Sequence, residues 1–192
     1  TLRAYGAAVT SLRAGLVVGA GGSSLHILTK LVERLPAMLT PRWTRSPTQP
    51  IALQDVVRAI DHCLGRTEMA GDFDIGGPDV MSYRDMMGRT AKVLGKRRPM
   101  VDVPLFTPGL SSLWVSLITG TPRALVGPLI QSLRHAMVVT GNPLQQWLQP
   151  DALGCEDALR QAVAHEAAPK PQLARLSTHR RQARVASTVR SV

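Results

Sequence analysis

Apolar residues near the start of the chain form first a nearly unbroken run and then a run with helical spacing. Residues Val9–Val18 are mostly apolar, with β-branched residues at both ends, which is typical of a strand buried on both faces of a parallel sheet. A glycine-rich turn follows, and Ser23 or Ser24 is placed to cap a helix that ends at Pro36. The apolar positions of this predicted helix recur every three or four residues: Leu25, Leu28, Leu31, Val32 and Leu35.

Two further helices are predicted by the same spacing. The first has Asp55 near its N-terminus, where a carboxylate is favourable, and ends at Gly65. Its predicted buried stripe is Val56, Ala59, Ile60, Cys63 and Leu64. The second begins near Ser82 and ends at Gly95. Its predicted buried positions are Tyr83, Met86, Met87, Thr90, Ala91 and Leu94.

The remaining segments are predicted to be strands, irregular chain or broken helix. Residues 71–78 and 100–104 have the pattern of short strands, whereas three prolines make residues 40–50 irregular or an edge element. Residues 107–136 have a mostly helical pattern with proline interruptions. Strands that alternate with helices in this way predict an α/β fold.

The composition limits the class of protein. A chain of 192 residues with 44% hydrophobic and 19% charged residues has the size and balance of one globular domain. Its cysteines, Cys63 and Cys155, are far apart and predict packed thiols in a reducing compartment. No secretory signal is recognisable after Thr1, and prolines and arginine interrupt the apolar stretch 110–130. We therefore expect a cytoplasmic protein without a transmembrane segment.

The formal net charge of +10 is concentrated at the C-terminal end. No acidic residue follows Glu166, whereas six of the 23 Lys and Arg residues do. Residues 167–192 also contain two prolines and no aromatic side chain, a composition that cannot bury enough apolar surface to fold. We predict a disordered basic tail there and, without aromatic stacking residues, no specific nucleic-acid partner.

Segments in a particular order along the chain resemble a known family. They are Leu12–Gly19, which precedes the first helix, then Pro50–Ile60, and then Phe73–Pro78 with Ser82–Met87. This order is similar to the C-terminal half of NAD(P)-binding atypical or extended short-chain dehydrogenases/reductases, and especially to NmrA-like and NAD-dependent epimerase/dehydratase-like members. The resemblance implies an α/β fold with a partial Rossmann-like parallel sheet of late strands, a small α+β substrate-binding lobe and a helical C-terminal region.

The resemblance also implies a division of the chain. Residues 1–140 correspond to the C-terminal portion of the NAD(P)-binding domain with its substrate lobe, residues 141–166 to a helical extension, and residues 167–192 to the basic tail. In this family the glycine fingerprint and the catalytic Tyr-x-x-x-Lys belong to an N-terminal Rossmann half, which would precede Thr1. That half is expected as the partner of this chain, and the chain is not expected to catalyse alone.

A glycine-rich turn, two tyrosines and a pair of aspartates could each suggest a functional site, but each lacks a residue that such a site requires. Gly19–Ser24 approximates G-x-G-x-x-G, but it ends in serine and no acidic residue follows about 20 positions later. Neither Tyr5 nor Tyr83 has a lysine four residues later, so we predict no catalytic residue. Asp72 and Asp74 lack a third ligand at a useful spacing, so we predict no metal site.

Candidate binding residues follow from the resemblance. Ala14, Gly15 and Leu16 correspond to the turn that meets the nicotinamide of NAD or NADP. Some sugar-modifying relatives have an asparagine in this turn, so Leu16 favours a small apolar or quinone-like substrate. The substrate-binding candidates are His26, Arg42 and Trp43.

Structural alternatives remain open for these residues, and two functions remain open for the protein. Arg42 and Trp43 lie where relatives form a substrate lid, but they also suit an ordinary surface loop. His26 could face a pocket or simply lie on the surface of its helix. The parent protein is expected to be an NAD(P)-dependent oxidoreductase or an epimerase/dehydratase-like enzyme. The alternative function is that of a non-catalytic, NAD(P)-sensing NmrA-like regulatory protein, and a third possibility is a truncated remnant with no ligand.

Overall fold

A computed structural model of the chain describes residues 2–103, 115–116, 118–120, 122, 124, 126 and 135–168. Most of the predicted helical stretch 107–136, and the predicted tail beyond residue 168, lie outside the described residues. The strands are β1 (Thr10–Ala14), β2 (Val17–Val18), β3 (Met38–Pro41), β4 (Pro47–Thr48), β5 (Ile51–Ala52), β6 (Gly71–Ile75), β7 (Met81–Ser82) and β8 (Met100–Val103). The helices are α1 (Ser23–Arg34), α2 (Leu53–Cys63), α3 (Tyr83–Val93), α4 (Pro143–Leu148) and α5 (Cys155–Ala167).

Parallel pairing dominates among the described strands. β1 pairs with β6, from Thr10 opposite Gly71 to Ala14 opposite Ile75. β2 pairs in parallel with β5 and β3 with β8, whereas β4 and β7 are antiparallel. Helices α1 and α2 lie in the connection from β1 to β6, as expected because parallel neighbours need a long crossover. The predicted α/β fold is confirmed.

The predicted continuous strand Val9–Val18 is wrong. The chain changes strand partners at Gly15 and Leu16, because β1 pairs with β6 and β2 pairs with β5. The side chains of β1 are half-buried or exposed rather than buried on both faces. Among the described residues, β6 is the only strand that pairs with β1, so no described strand pairs with the other edge of β1.

Helix α1 begins without the predicted serine cap. Gly22 is the N-cap, so Ser23 and Ser24 are the first helical residues. The predicted apolar face of α1 is confirmed, and Leu35 lies half-buried just after the helix ends. The buried residues of this face are Leu25, Leu28, Leu31 and Val32.

Residues 40–50 are more regular than their three prolines predict. β3 ends at Pro41, a 3-10 turn covers Arg42–Arg45, and β4 follows. Pro41 is tolerated because β3 pairs only with β8 among the described residues, and proline occurs on such edge strands. The 3-10 turn carries Trp43 and Thr44, and the Thr44 hydroxyl donates to the carbonyl oxygen of Pro41 at 2.7 Å.

The buried stripe predicted for α2 is wrong at two positions. Ala59 and Cys63 are buried, whereas Ile60 and Leu64 are 45% and 68% exposed. The inner side of α2 packs on β2, β5 and α4, which leaves another row of apolar side chains uncovered among the described residues. We call this row the α2 apolar stripe, and its members are Leu53, Val57, Ile60 and Leu64.

Asp55 lies in the first turn of α2, as predicted, but it does more than stabilise a helix end. Its carboxylate is fully buried and accepts hydrogen bonds from Leu153 N at 2.8 Å and from Arg58 Nη1 at 2.9 Å. A buried charge requires such partners. Asp55 therefore ties α2 to the segment that precedes α5.

Helix α3 begins with the predicted cap at Ser82. The Ser82 hydroxyl accepts a hydrogen bond from Asp85 N, and the Asp85 carboxylate accepts one from Ser82 N, which completes a capping box. The second bond to the carboxylate, donated by the Ser82 hydroxyl at 2.7 Å, lowers the pKa of Asp85. The predicted apolar face of α3 is confirmed as buried from Tyr83 to Ala91.

Two apolar clusters form the interior of the described residues. The larger joins α1, α3 and α5, with Val32 and Leu159 both fully buried. The smaller lies between α2, α4 and the β1–β6 pair and includes Ile75 and Leu148. α5 packs directly on α3 and belongs to the larger cluster, whereas α4 belongs to the smaller one. No helix among the described residues is long and apolar enough to cross a membrane.

Candidate functional site

An apolar pocket lies between α1 and α3. The space inside it that is open to water-sized molecules is about 80 Å³, which is small beside the roughly 300–1,000 Å³ that is usual for small-molecule sites. None of the described residues that line it is charged. The lining includes Leu16, Ile27, Leu31, Trp43, Tyr83 and Met87.

The helical spacing of the sequence builds this pocket. Ile27 and Leu31 are one turn apart on α1, and Tyr83 and Met87 are one turn apart on α3, so each pair faces the same side of its helix. The 3-10 turn brings Trp43 against Tyr83, with ring centroids 6.5 Å apart and planes inclined by 62°. This edge-to-face contact is a favourable aromatic geometry.

Tyr83 is the polar residue buried most deeply in the wall of the pocket. It is 2% exposed, and its hydroxyl donates to Met137 Sδ at 3.7 Å. Burial raises the pKa of Tyr83, and the neighbouring Thr48 hydroxyl lowers that pKa by a smaller amount. The phenol is therefore protonated near neutral pH and acts as a hydrogen-bond donor rather than as a base.

Thr48 lies beside Tyr83 and is fully buried. Although it lowers the pKa of Tyr83, its hydroxyl has no hydrogen-bond partner of acceptable geometry among the described residues. Thr48 belongs to β4, where it pairs with Met81, and it also forms a bridge with Met137. Buried hydroxyl groups are usually paired, so this one stands out.

A shallow groove lies at the carboxyl ends of β1 and β6. Ala14 and Gly15 line it together with Arg13 and Asp74, which form an ion pair at 2.7 Å. Residues 136–139 make its far wall. Leu16, the third residue predicted to bind cofactor, lines the apolar pocket instead of the groove.

Met137 separates the groove from the pocket. A Cβ atom on Gly15 would lie 2.8 Å from Met137 Cβ, so the glycine is what allows this approach. Met137 is held by backbone hydrogen bonds to Pro47 and Gln49. Gln49 also accepts a hydrogen bond from Val139 N through Oε1 at 2.9 Å, which secures the segment from Met137 to Val139.

The structure brings together only some of the predicted site residues. Leu16 and Trp43 line the same pocket, whereas Arg42 is exposed on the 3-10 turn. His26 faces a different, polar depression that includes Lys30 and Glu166. Sequence reasoning did not identify Thr48, Tyr83 and Met137 as site residues. Tyr83 has the helical spacing of a core residue, and no local motif marks the other two.

The glycine turn before α1 is occupied by a carboxylate of the chain itself. Gly21 N donates to Glu166 Oε1 at 3.2 Å, which places a negative group near the positive end of α1. A phosphate bound there would meet this carboxylate. The geometry therefore favours the prediction that Gly19–Ser24 is not a pyrophosphate cradle.

Metal and thiol chemistry find no support among the described residues. They contain no group of three or more His, Cys, Asp or Glu side chains suited to a metal ion. Cys63 and Cys155 are buried and unbridged. Burial raises the pKa of Cys63, and burial together with the Asp79 carboxylate raises the pKa of Cys155 to about 11. Both are packed thiols, as predicted, and not reactive thiolates.

The fold is similar to that of solved NAD(P)-binding proteins. No protein-family model and no curated protein sequence matches the chain significantly. RMD from Pseudomonas aeruginosa, solved with NADPH, superposes with a TM-score of 0.58 at 12% identity over 86% of this chain. UDP-N-acetylglucosamine 4-epimerase from Bacillus cereus gives a TM-score of 0.57 at 10% identity over 86%. UDP-glucose 4-epimerase from Thermotoga maritima, solved with UDP-glucose, gives 0.56 at 17% over 85%.

These similarities show which fold the chain has and how much of each solved protein it covers. They confirm that the chain has the Rossmann-like α/β fold of these solved proteins. The chain spans only 50%, 49% and 47% of the three solved proteins, respectively. About half of each solved protein therefore has no counterpart in this chain.

Proposed function

We propose that this chain is the C-terminal portion of an NAD(P)-dependent oxidoreductase or epimerase/dehydratase-like short-chain dehydrogenase, and that its apolar pocket holds the substrate. This proposal rests on the groove and the apolar pocket, which lie side by side. Ala14 and Gly15 line the groove at the strand ends, and the next residue, Leu16, lines the pocket. Ligands of open parallel sheets bind beyond the carboxyl ends of the strands. A nicotinamide in the groove would therefore lie beside a substrate in the pocket.

The described residues fit one end of the cofactor. Ala14 and Gly15 would hold the nicotinamide, which supplies or accepts a hydride when the cofactor is bound. The Gly19–Ser24 turn does not fit the pyrophosphate, because the carboxylate of Glu166 lies there and like charges repel. We therefore assign the pyrophosphate and the adenosine to the N-terminal Rossmann half that the family resemblance implies.

The lining of the pocket favours an apolar substrate. None of the described lining residues is charged, whereas the diphosphate of a nucleotide sugar is usually bound by arginine or lysine. Leu16, Trp43 and Met87 offer aliphatic, aromatic and thioether surfaces. These surfaces suit a small apolar or quinone-like molecule better than the UDP-glucose that one of the solved structures contains.

Two exposed features support a missing half as the partner of this chain. The α2 apolar stripe exposes four large aliphatic side chains in one row. Strand β1 is paired by β6, and no second strand pairs with it among the described residues. An exposed apolar patch beside an open strand edge is a surface suited to association. Another strand and helix of the same Rossmann-like sheet would cover both.

Calorimetry on the isolated chain tests whether this chain binds the substrate while another half binds the pyrophosphate of the cofactor. We expect 2-acetylnaphthalene, an apolar ketone, to bind the chain, and NADPH not to bind at micromolar concentration because the pyrophosphate site is missing. Leu16→Asp is expected to abolish ketone binding, because it places a charge in the apolar wall. The matched control, Leu64→Asp on the exposed stripe, is expected to leave ketone binding unchanged. Micromolar NADPH binding by the chain would contradict the assignment of the pyrophosphate to another half.

A non-catalytic NAD(P)-sensing protein of the NmrA-like type is the second candidate function. It is favoured by Tyr83, whose pKa is raised by burial and which has no lysine four residues later. A tyrosine in this state is a poor proton-transfer group. Oxidation of NADPH in the presence of a ketone by the chain joined to its N-terminal half distinguishes the two functions, since a sensor would bind the cofactor without turnover.

A further inference from the structure

The α2 apolar stripe has the residue spacing of a helix that packs along another helix. Its members, Leu53, Val57, Ile60 and Leu64, are 45–68% exposed. They follow one another at intervals of four, three and four residues, which is the spacing of the a and d positions in a seam between two helices. None of the four is charged. The stripe is therefore suited to the apolar side of a second helix.

Two depressions border the α2 apolar stripe, one at each end. The first lies between the N-terminal half of the stripe and α5, where small side chains such as Ala158 and Ala162 line about 460 Å³ of space open to water. The second lies between the C-terminal half of the stripe and the start of β1, where Ala8 and Thr10 line about 430 Å³. Side chains of a facing helix can enter both, as the ridges of one helix enter the grooves of another.

The two depressions also give the direction of α2 relative to β1. Leu64, at the end of the stripe, lines the same depression as Thr10, the first residue of β1. Leu53, at the start of the stripe, lines the other depression together with Gly19, which follows β2. Helix α2 therefore runs antiparallel to β1, as a crossover helix does.

The edge of β1 beside the second depression is open. Gly71 N donates to the carbonyl oxygen of Val9 at 3.1 Å, so the N–H and C=O groups of Ser11 also point towards β6. Those of Thr10 and Leu12 point to the opposite edge, because successive residues of a strand direct these groups to opposite sides. No strand of the described part of the chain lies on that side.

The handedness of crossovers decides which segment fits this edge. A connection between two parallel strands of one sheet is right-handed in nearly all proteins. Helix α2 lies in the connection from β1 to β6. A strand that precedes β1 in the sequence and lies at its open edge steps to β1 in the same direction across the sheet, so its helix lies on the face that α2 occupies. The helix of a strand that follows in the sequence would lie on the opposite face.

We propose that one strand and one helix that directly precede Thr1 in the parent protein cover the open edge of β1 and the α2 apolar stripe. The strand is parallel to β1. The helix returns from the end of that strand to the start of β1, so it runs in the same direction as α2. This inference rests on the proposed function, because it takes the chain to be the C-terminal portion of a longer protein. It adds which segment of the missing half makes the contact, and in which orientation.

Photocross-linking in the parent protein tests the segment and its direction. Leu53 or Leu64 is replaced by p-benzoylphenylalanine, and the cross-linked peptides are identified by mass spectrometry. From position 64 we expect cross-links to the last turn of the helix that precedes Thr1. From position 53 we expect cross-links about 11 residues farther upstream, because two helices that run in the same direction advance together. The control is the same replacement at Val101, an exposed residue of β8 outside the stripe, which is expected to give no cross-link to this helix.

Hydrogen exchange tests the strand. Joining the N-terminal half to the chain is expected to slow exchange of the Thr10 and Leu12 amides by about tenfold or more, because both gain hydrogen-bond acceptors. The Ser11 amide already faces β6 and is the internal control, and its exchange is expected to change less.

The possible results separate this inference from the proposed function. Cross-links in the opposite order, cross-links to a distant part of the N-terminal half, cross-links between two copies of this chain, or none from either position overturn the inference. Unchanged exchange at Thr10 and Leu12 overturns it as well. Each of these results leaves the assignment of the chain to the C-terminal portion intact. A parent protein in which no segment precedes Thr1 overturns both the inference and the proposed function.

Discussion

Helices α1 and α2 are both amphipathic and differ in what covers them. α1 packs against α3, which in turn packs against α5, and its leucines and valine are buried in one cluster. α2 buries a narrow face and exposes the α2 apolar stripe. The side built by α1, α3 and α5 is therefore closed and contains the apolar pocket, whereas the side built by α2 and β1 is open. Under the proposed function the closed side binds the substrate, and we infer that the open side takes a partner.

The largest effect on the free energy of unfolding is expected for a leucine of the closed side, and a leucine of the open side serves as its control. Leu159 on α5 is fully buried, and Leu64 follows α2 and is 68% exposed. Leu159→Ala is expected to lower the free energy of unfolding by about 2–5 kcal/mol, because it leaves a cavity. The control, Leu64→Ala, is expected to change it by less than about 0.5 kcal/mol. Urea unfolding followed by circular dichroism measures both, and similar losses would contradict the contrast between the two sides.

The next effect is expected at Gly15, where the groove of the open side meets the pocket of the closed side. Gly15→Ala places a Cβ atom 2.8 Å from Met137 Cβ and is expected to cost about 1–3 kcal/mol through overpacking. Trimming the opposing side chain in Gly15→Ala/Met137→Ala is expected to relieve this clash. A double-mutant cycle measures the coupling. Strictly additive effects would show that the two residues are not in contact.

A smaller effect is expected at the start of α3, the helix that carries Tyr83 and Met87 into the pocket. Ser82→Ala removes the cap and is expected to lower the free energy of unfolding by about 1 kcal/mol at neutral pH. The pKa of Asp85 is lowered in the folded chain by its hydrogen bonds to Ser82. This contribution is present above the unfolded carboxyl pKa of about 4 and is lost as the pH falls through the lower folded value.

The difference between wild type and Ser82→Ala is therefore expected to shrink between neutral pH and about pH 3, since Asp85 is then increasingly protonated. Ser23→Ala is the matched control, because Ser23 begins α1 where the N-cap makes no side-chain hydrogen bond. Urea unfolding at several pH values measures both variants. A difference that stays constant down to acidic pH would contradict a contribution from the Asp85 carboxylate.

Local patterns in the sequence predicted the closed side better than the open side. The apolar spacing of α1 and α3 and the cap at Ser82 are readable because each depends on residues a few positions apart. The same spacing failed for α2 at Ile60 and Leu64. A helical pattern shows that a face is apolar but not which neighbour covers it, and among the described residues no neighbour covers this one.

The candidate site was predictable only in part for a related reason. The family resemblance indicated Leu16 and Trp43, which line one pocket. The contact of Tyr83 with Met137 joins residues 54 positions apart, and Thr48 is placed by strand pairing with Met81. Such contacts depend on the tertiary structure, and no local motif encodes them. A tyrosine in a helical apolar pattern is indistinguishable from an ordinary core residue until its hydroxyl is seen to face a sulfur.

The smallest change in stability is expected on the open side, although the change in association is expected to be large. Ile60→Lys combined with Leu64→Lys introduces two charges into the α2 apolar stripe, whose side chains are already partly solvated. We expect the free energy of unfolding to change by less than about 0.5 kcal/mol per site. The binding of a dye specific for apolar surface, and any self-association seen by size-exclusion chromatography, are expected to fall.

Val101→Lys, which changes an exposed valine of β8 outside the stripe, is the control and is expected to leave dye binding unchanged. A marked loss of stability in the double variant, with no change in dye binding, would show that the stripe is covered and that the chain has no open side.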